Sequence, residues 1–278
     1  MSILRFSSYS LNRLAISLTL LLLLTFNATL YSQIAPLKHA HAHNDYAHKR
    51  PVLDALDNGF TSIEVDVYLH NGQLKVSHLP FALRTKKTLE VLYLIPLRER
   101  IALQGGSVFA GYNLPVVLMI DFKTDPASTY KVLKEILKLY AHMLTSYASD
   151  SVLIQRPVNV LISGKSPVAE LLQADSSYAT LDAPFSTLDD SLKLRVCTRL
   201  SDAWSSHFSW NGIGEISNKD SIQLHNLVEL AHASNKEVRF YHIPDQASVW
   251  KLLLESGVDW INTDRLSDYR KWYANYQR

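Results

Sequence analysis

Short β-rich runs alternate with amphipathic helical stretches through about 240 residues with no linker between them, and this alternation limits the fold more than any other property of the chain. Runs with strand character fall at Leu37–His43, Ser62–Leu69, Val116–Phe122, Val158–Ser163, Tyr178–Leu181, Leu194–Thr198, His207–Trp210, Val238–His242 and Trp260–Asn262. Within Ala127–Leu144, the residues Leu133, Ile136, Leu137, Tyr140 and Leu144 form one helical stripe. Leu224, Leu227, Val228 and Ala231 form another, and Val249, Leu252 and Leu253 a third. Repeated strand-then-helix units build a parallel α/β domain. Eight or nine strands without a GxGxxG turn favour a single (β/α)8 TIM barrel over a doubly wound sheet.

The first 32 residues stand apart from this pattern. Arg5 and Arg13 precede the apolar run Leu14–Phe26, and a polar-spotted stretch follows as far as Ser32. A positive start, an apolar centre and a small residue near the end describe a secretory signal peptide over residues 1–32. An uncleaved anchor is the alternative, since Leu14–Tyr31 approaches membrane-spanning length. The expectation is an exported protein, periplasmic or extracellular, with one domain over residues 33–278. Cys197 is the single cysteine, so no intrachain disulfide and no thiolate metal cluster can form. Beyond residue 32, basic and acidic side chains balance at 26 each. A nucleic-acid binder needs a basic surplus, so that class is excluded.

The stretch Ser62–His78 carries the first chemical signal. Side chains on a strand alternate faces, which sets Ile63, Val65, Val67 and Leu69 against Glu64, Asp66 and Tyr68. If the apolar face packs on helices, the two carboxylates turn into the barrel. Like charges buried side by side need a cation or hydrogen-bond donors. Asn71-Gly72 then reads as a tight turn whose return run delivers His78. Val116–Phe122 repeats the logic, with Asp121 and Lys123 at the C-terminal end of a buried strand, where barrel enzymes place reactive groups. Three carboxylates from two strands offer all-oxygen ligation, which suits Mg²⁺ or Ca²⁺. On the first strand, His41, His43 and Asp45 share a face and are expected to point inward; a histidine at a strand's C-terminal end suits acid–base work.

These residues carry a resemblance. The segments HAHNDYAHKRPVLDALDNGFTSIEVDVYLHNGQLKVSH (39–78), MIDFK (119–123), VRFYHIPD (238–245) and the run through GVDWINTD to residue 264 span most of the domain. The chain resembles the glycerophosphodiester phosphodiesterase and phosphatidylinositol phospholipase C-like superfamily, on the altered-inheritance-of-mitochondria branch. The resemblance implies a metal-dependent phosphodiesterase in which Glu64, Asp66 and Asp121 bind one divalent cation. It makes His43 and His78 the general acid–base pair and sets Lys123 and Asn44 on phosphate oxygens. The implied partner is a small-molecule or phospholipid phosphodiester, with at most peripheral membrane contact through aromatics such as Tyr112, Trp204 or Trp272.

The sequence also departs from that pattern. Glycerophosphodiesterases usually read His-Arg-Gly at the first histidine, and this chain reads His43-Asn44-Asp45; they often place Asp after the second, where Leu79 stands here. The missing arginine leaves the substrate's alcohol open, with Arg239 on a late strand as a candidate for the lost charge. Asp264 and Trp210 are second-rank site residues. Two rival readings remain. His41-Ala42-His43 also opens zinc amidohydrolases and phosphoesterases, which would recruit His207, His225, His232, His242 and Asp264. A barrel that keeps its phosphate pocket purely for binding is the other. Oligomeric state is not readable from the chain.

Overall fold

The strands expected from the sequence close into a ring. In the computed structural model, which describes residues 34–80, 83, 87–148 and 151–277, the strands are β1 (Leu37–Ala42), β2 (Phe60–His70), β3 (Gln73–Val76), β4 (Val116–Phe122), β5 (Ser146–Ala148), β6 (Ser151–Ile154), β7 (Val158–Gly164), β8 (Ala179–Ala183), β9 (Cys197–Ala203), β10 (Glu237–Tyr241) and β11 (Trp260–Thr263). The order β1-β11-β10-β9-β8-β7-β4-β2, with β1 paired back to β2, closes eight parallel strands into a TIM barrel. Strand β3 hangs outside the ring, antiparallel to β2. The segment expected to be a signal peptide, with its apolar run Leu14–Phe26, lies outside the described residues. Among the described residues no helix is long and apolar enough to cross a membrane.

Helices α1 (Leu53–Asp57), α2 (Ile95–Leu103), α3 (Pro126–Leu139), α4 (Val168–Leu172), α5 (Ser191–Leu194), α6 (Asn218–Ala233), α7 (Ala247–Glu255) and α8 (Leu266–Tyr276) fall between or after the strands. Their starts follow local chemistry. The Asp125 side chain accepts from the Ser128 amide at the start of α3, with Pro126 in the first turn, and Ser217 accepts from the Asp220 amide at the start of α6. Strand β2 is buried on both faces. Its Ile63, Val65 and Val67 belong to the apolar core, whereas Ser62, Glu64 and Asp66 are buried polar residues on the other face. The register aligns Ser62, Glu64 and Asp66 with Val117, Met119 and Asp121 of β4, and Met119 and Asp121 with Leu161 and Ser163 of β7. Val117, Met119, Leu161 and Trp260 form an apolar plug, so the polar groups gather toward the strands' C-terminal ends.

Three sequence expectations shift. His207–Trp210 forms no strand: it follows a 3-10 turn (Trp204–Ser206), and Trp204 and Phe208 pack on Phe240. The strand expected at Leu194–Thr198 runs instead over Cys197–Ala203. Its Arg199 and Ser201 are buried among polar partners and break the apolar pattern that marks a strand. The helix expected to reach Leu144 stops at Leu139, and a 3-10 turn covers Ala141–Met143.

Candidate active site

The ends of β1, β2, β4, β7, β8, β9 and β10 surround a cleft of about 720 Å³ lined by both acidic and basic side chains. Glu64, Asp66 and Asp121 each place a carboxylate oxygen within 4.8 Å of the others, the one such ligand group found among the described residues. Lys123 Nζ sits 3.0 Å from Asp121 Oδ1 and 3.3 Å from Asp66 Oδ2. Asp66 Oδ2 also lies 2.8 Å from the Tyr46 hydroxyl and 3.0 Å from His78 Nδ1. Asp66 Oδ1, by contrast, is buried without a hydrogen-bond partner. A buried, bare carboxylate oxygen beside two further carboxylates is what a hard cation takes up. The donor set therefore fits one divalent ion, and no cysteine or histidine is needed to complete it.

Burial raises Asp66 above the usual carboxylate range; Lys123 offsets part of that, and neighbouring Asp121 adds to it. The Asp121 charge thus disfavours ionisation of Asp66, which a cation between them would relieve. Gly164, at the end of β7, has φ +70, and a Cβ there would collide with Asp121 Oδ1 and come within 2.8 Å of the Phe122 carbonyl. Glycine at this position lets the chain pass close behind the Asp121 carboxylate. Ser163, one residue earlier, donates to Asp121 Oδ2 at 3.2 Å.

The two histidines reach the cleft by different routes. His43 follows β1, with its amide bonded to the Thr263 carbonyl at 3.1 Å, and its Nδ1 lies 2.8 Å from Asp264 Oδ1. Burial disfavours the charged ring, but the Asp264 hydrogen bond and the Glu64 charge outweigh it and hold His43 above its ordinary value. Asp264 is itself steadied by Asp245, whose Oδ2 accepts from the Asp264 amide at 3.1 Å and from Thr263 Oγ1 at 3.0 Å. His78 arrives on the β2–β3 hairpin. The turn Asn71-Gly72 has φ of 49° and 72°, the two positive values a two-residue hairpin turn requires. Asn44 adopts φ 48°, a left-handed conformation that asparagine tolerates, and its amide nitrogen lies 3.0 and 3.2 Å from the two ring nitrogens of His43.

Beneath the carboxylates lies a buried ionic layer. Arg239 Nη1 donates to Glu64 Oε2 at 2.6 Å and to Asn262 Oδ1 at 3.0 Å, Nε donates to Ser201 Oγ at 3.2 Å, and Nη2 is 3.7 Å from Asp182. Burial opposes ionisation of Glu64, yet the adjacent guanidinium holds its carboxyl well below the usual range. Arg239 is therefore not the free phosphate-binding charge expected from the sequence. It reaches the floor of the cleft, but its donors are spent on Glu64 and its neighbours. His41 belongs to the same layer, with Nδ1 2.7 Å from Ser62 Oγ and Nε2 3.0 Å from Glu64 Oε2. Burial and the nearby Arg239 push it down to about 3, so it stays neutral under Glu64.

Other expectations resolve as follows. Asp45 does not point inward alongside the histidines. The strand ends at Ala42, Asn44 reverses the chain, and the buried Asp45 carboxylate instead accepts from the Val52 amide at 2.5 Å. Val52 itself has φ 60° at the centre of a turn closed by Leu53 N–H to Pro51 O. Trp210 lies away from the cleft lining, its indole donating to the Ile213 carbonyl. Trp204 is buried and has no face to offer a lipid. Of the histidines a zinc site would recruit, His242 lines the cleft with its ring 6.2 Å from that of His43, but the others are dispersed: His207 pairs with Asp202, His225 with the Ser221 carbonyl and His232 with Asp259. Sequence reasoning assigned no role to Tyr46, Asp182, Ser201 or Asp245. Two of them left a signal: Tyr46 stands three residues after His43 inside the same polar motif, and Asp245 closes the VRFYHIPD segment.

Three carboxylates, a lysine and two histidines gathered at the C-terminal mouth of a TIM barrel suit one class of protein, the barrel phosphodiesterases. A solved glycerophosphodiester phosphodiesterase from Parabacteroides distasonis shares the fold at a TM-score of 0.55 and 11% identity, covering 88% of this chain and all of its own. Altered inheritance of mitochondria protein 6 of Eremothecium gossypii is 28% identical over 287 residues, which is 88% of this chain and 72% of that protein. A homolog from Arthroderma benhamiae is 24% identical over 266 residues, 84% of this chain and 83% of its own length. The AIM6-like phosphodiesterase domain matches residues 28–181, and the chain belongs to that family.

Proposed function

We propose that the chain hydrolyses a phosphodiester with His43 and His78 as its acid–base pair, aided by one divalent cation, Mg²⁺ or Ca²⁺, held by Glu64, Asp66 and Asp121. The bare, buried Oδ1 of Asp66, in a cluster with two further carboxylates, carries this reading. When bound, the cation would offset charge on the phosphate's non-ester oxygens as the transition state forms. Lys123, whose ammonium burial disfavours but Asp121 and Asp66 hold charged, lines the cleft beside it and binds a phosphate oxygen. Asn44 offers its amide on the His43 side. One histidine takes the proton of the attacking hydroxyl, and the other returns a proton to the leaving oxygen. Asp264 fixes the His43 ring so that its nitrogen is held in register for that exchange.

The substrate we assign is a glycerophosphodiester, a phosphoinositide or a related phospholipid-type diester. Hydrolysis of bis(p-nitrophenyl) phosphate by the chelated protein will be low and will return with Mg²⁺ or Ca²⁺. Recovery with Zn²⁺ alone would point to histidine ligation instead, and full activity after chelation would remove the cation from the reading.

The N-terminal segment supports export, with residues 1–32 removed as a signal peptide. N-terminal sequencing of the protein recovered outside the cytoplasmic membrane will then begin at Gln33. An intact Met1 would contradict cleavage.

A further inference from the structure

We propose that Tyr46 is a positioning residue of the hydrolytic centre, whose hydroxyl fixes which nitrogen of His78 faces the phosphate. The inference rests on the role given above to His78. Tyr46 lies in the 3-10 turn Asp45–Ala47, where the left-handed Asn44 turns the chain back toward the hairpin. Its hydroxyl stands 2.9 Å from His78 Nδ1, 2.8 Å from Asp66 Oδ2 and 2.5 Å from Asn44 Oδ1. One atom thus joins the residue beside His43, an acidic ligand of the centre and His78.

Packing holds the His78 ring only loosely: 62% of its side chain is exposed, and the Tyr46 ring stacks on it with centroids 6.3 Å apart. Hydrogen bonds must set its orientation. Asn44 Oδ1 and an ionised Asp66 Oδ2 only accept, and a phenol has one proton to give. If that proton pointed at His78 Nδ1, both acceptors would face the phenol's lone pairs at 2.5 and 2.8 Å. Donating to Asn44 or Asp66 leaves only one acceptor facing a lone pair, and His78 Nδ1 must then be the donor toward the phenol oxygen. Asp66 Oδ2, 3.0 Å from the same nitrogen, favours the same arrangement. With Nδ1 protonated, the neutral ring keeps its free lone pair on Nε2, away from Tyr46 and Asp66. Tyr46 thereby acts on the reaction through His78 without touching the substrate.

Tyr46→Phe keeps the ring and removes only the hydroxyl. The test is a long-range ¹H–¹⁵N spectrum of the cation-free, full-length protein, with the His78 signal identified by its loss in His78→Gln. The wild type should show the Nδ1–H tautomer, and Tyr46→Phe should shift it toward a mixture with Nε2–H. Assayed with cation on the same diester, Tyr46→Phe should lose about 10–100-fold in kcat with KM within about twofold. An Nε2–H tautomer in the wild type, or an unchanged tautomer and kcat in Tyr46→Phe, would overturn the proposal. A fall in melting temperature with an unchanged tautomer would do so too, since it marks a merely structural side chain. Wild-type turnover in His78→Gln would instead sink the acid–base reading itself, which the tautomer measurement does not depend on.

Discussion

His43→Ala and His78→Ala each lower kcat by about 10²–10⁴-fold on a simple aryl phosphodiester, with the barrel still folded. The structure gives a reason for both halves of that expectation. His78 is largely exposed on a hairpin, so truncating it opens no cavity. His43 sits beside Asp264, itself anchored by Asp245, and its loss leaves the anchor in place. Asp264→Asn keeps the shape but removes the charge behind His43, so its effect should fall between wild type and His43→Ala. Kinetics of the three variants beside circular dichroism will test the pair. Turnover within threefold of wild type in either alanine variant would remove that histidine from the chemistry.

Arg239→Met costs about 3–5 kcal/mol of stability, because it strands Glu64 and Asp182 as buried acids without their partner. For a domain of this length the melting temperature should drop by about 10 °C. Burial already lifts Asp182 to about 6 despite Arg239 and Arg199, so removing one guanidinium pushes it further toward neutrality. Added Mg²⁺ or Ca²⁺ should recover part of the loss in the variant, since a cation at the proposed site would also neutralise Glu64. Thermal unfolding with and without cation distinguishes this from a substrate-binding role. Unchanged stability with a raised KM would return Arg239 to the phosphate.

Much of the site could be read from alternation alone. Ile63, Val65 and Val67 opposite Glu64 and Asp66 announced a strand with an acidic inner face, and β2 has that face. The Asn71-Gly72 turn located the hairpin that brings His78. Legibility failed where polar residues were turned inward to meet each other. Arg199 and Ser201 look like loop residues until Glu237, Ser62 and Asp182 are seen as their partners, none of them near in sequence. The roles of Arg239 and His41 were hidden for the same reason, since a buried ion pair leaves no periodicity. Asp45 was misplaced because two-residue alternation was carried past Ala42, where the chain leaves the sheet.

The hairpin that carries His78 stands outside the closed ring of parallel strands. Every other group proposed for the chemistry is fixed to a ring strand or to the residues directly following one. One member of the proposed acid–base pair is thus mounted on an appendage that the barrel does not need for closure. Lengthening or retuning that appendage shifts one histidine relative to the carboxylate cluster and His43, with no ladder hydrogen bond of the ring disturbed. A lineage could explore diesters of different bulk by editing this arm alone. The ring would serve as an unchanging vice, and the hairpin as its adjustable jaw.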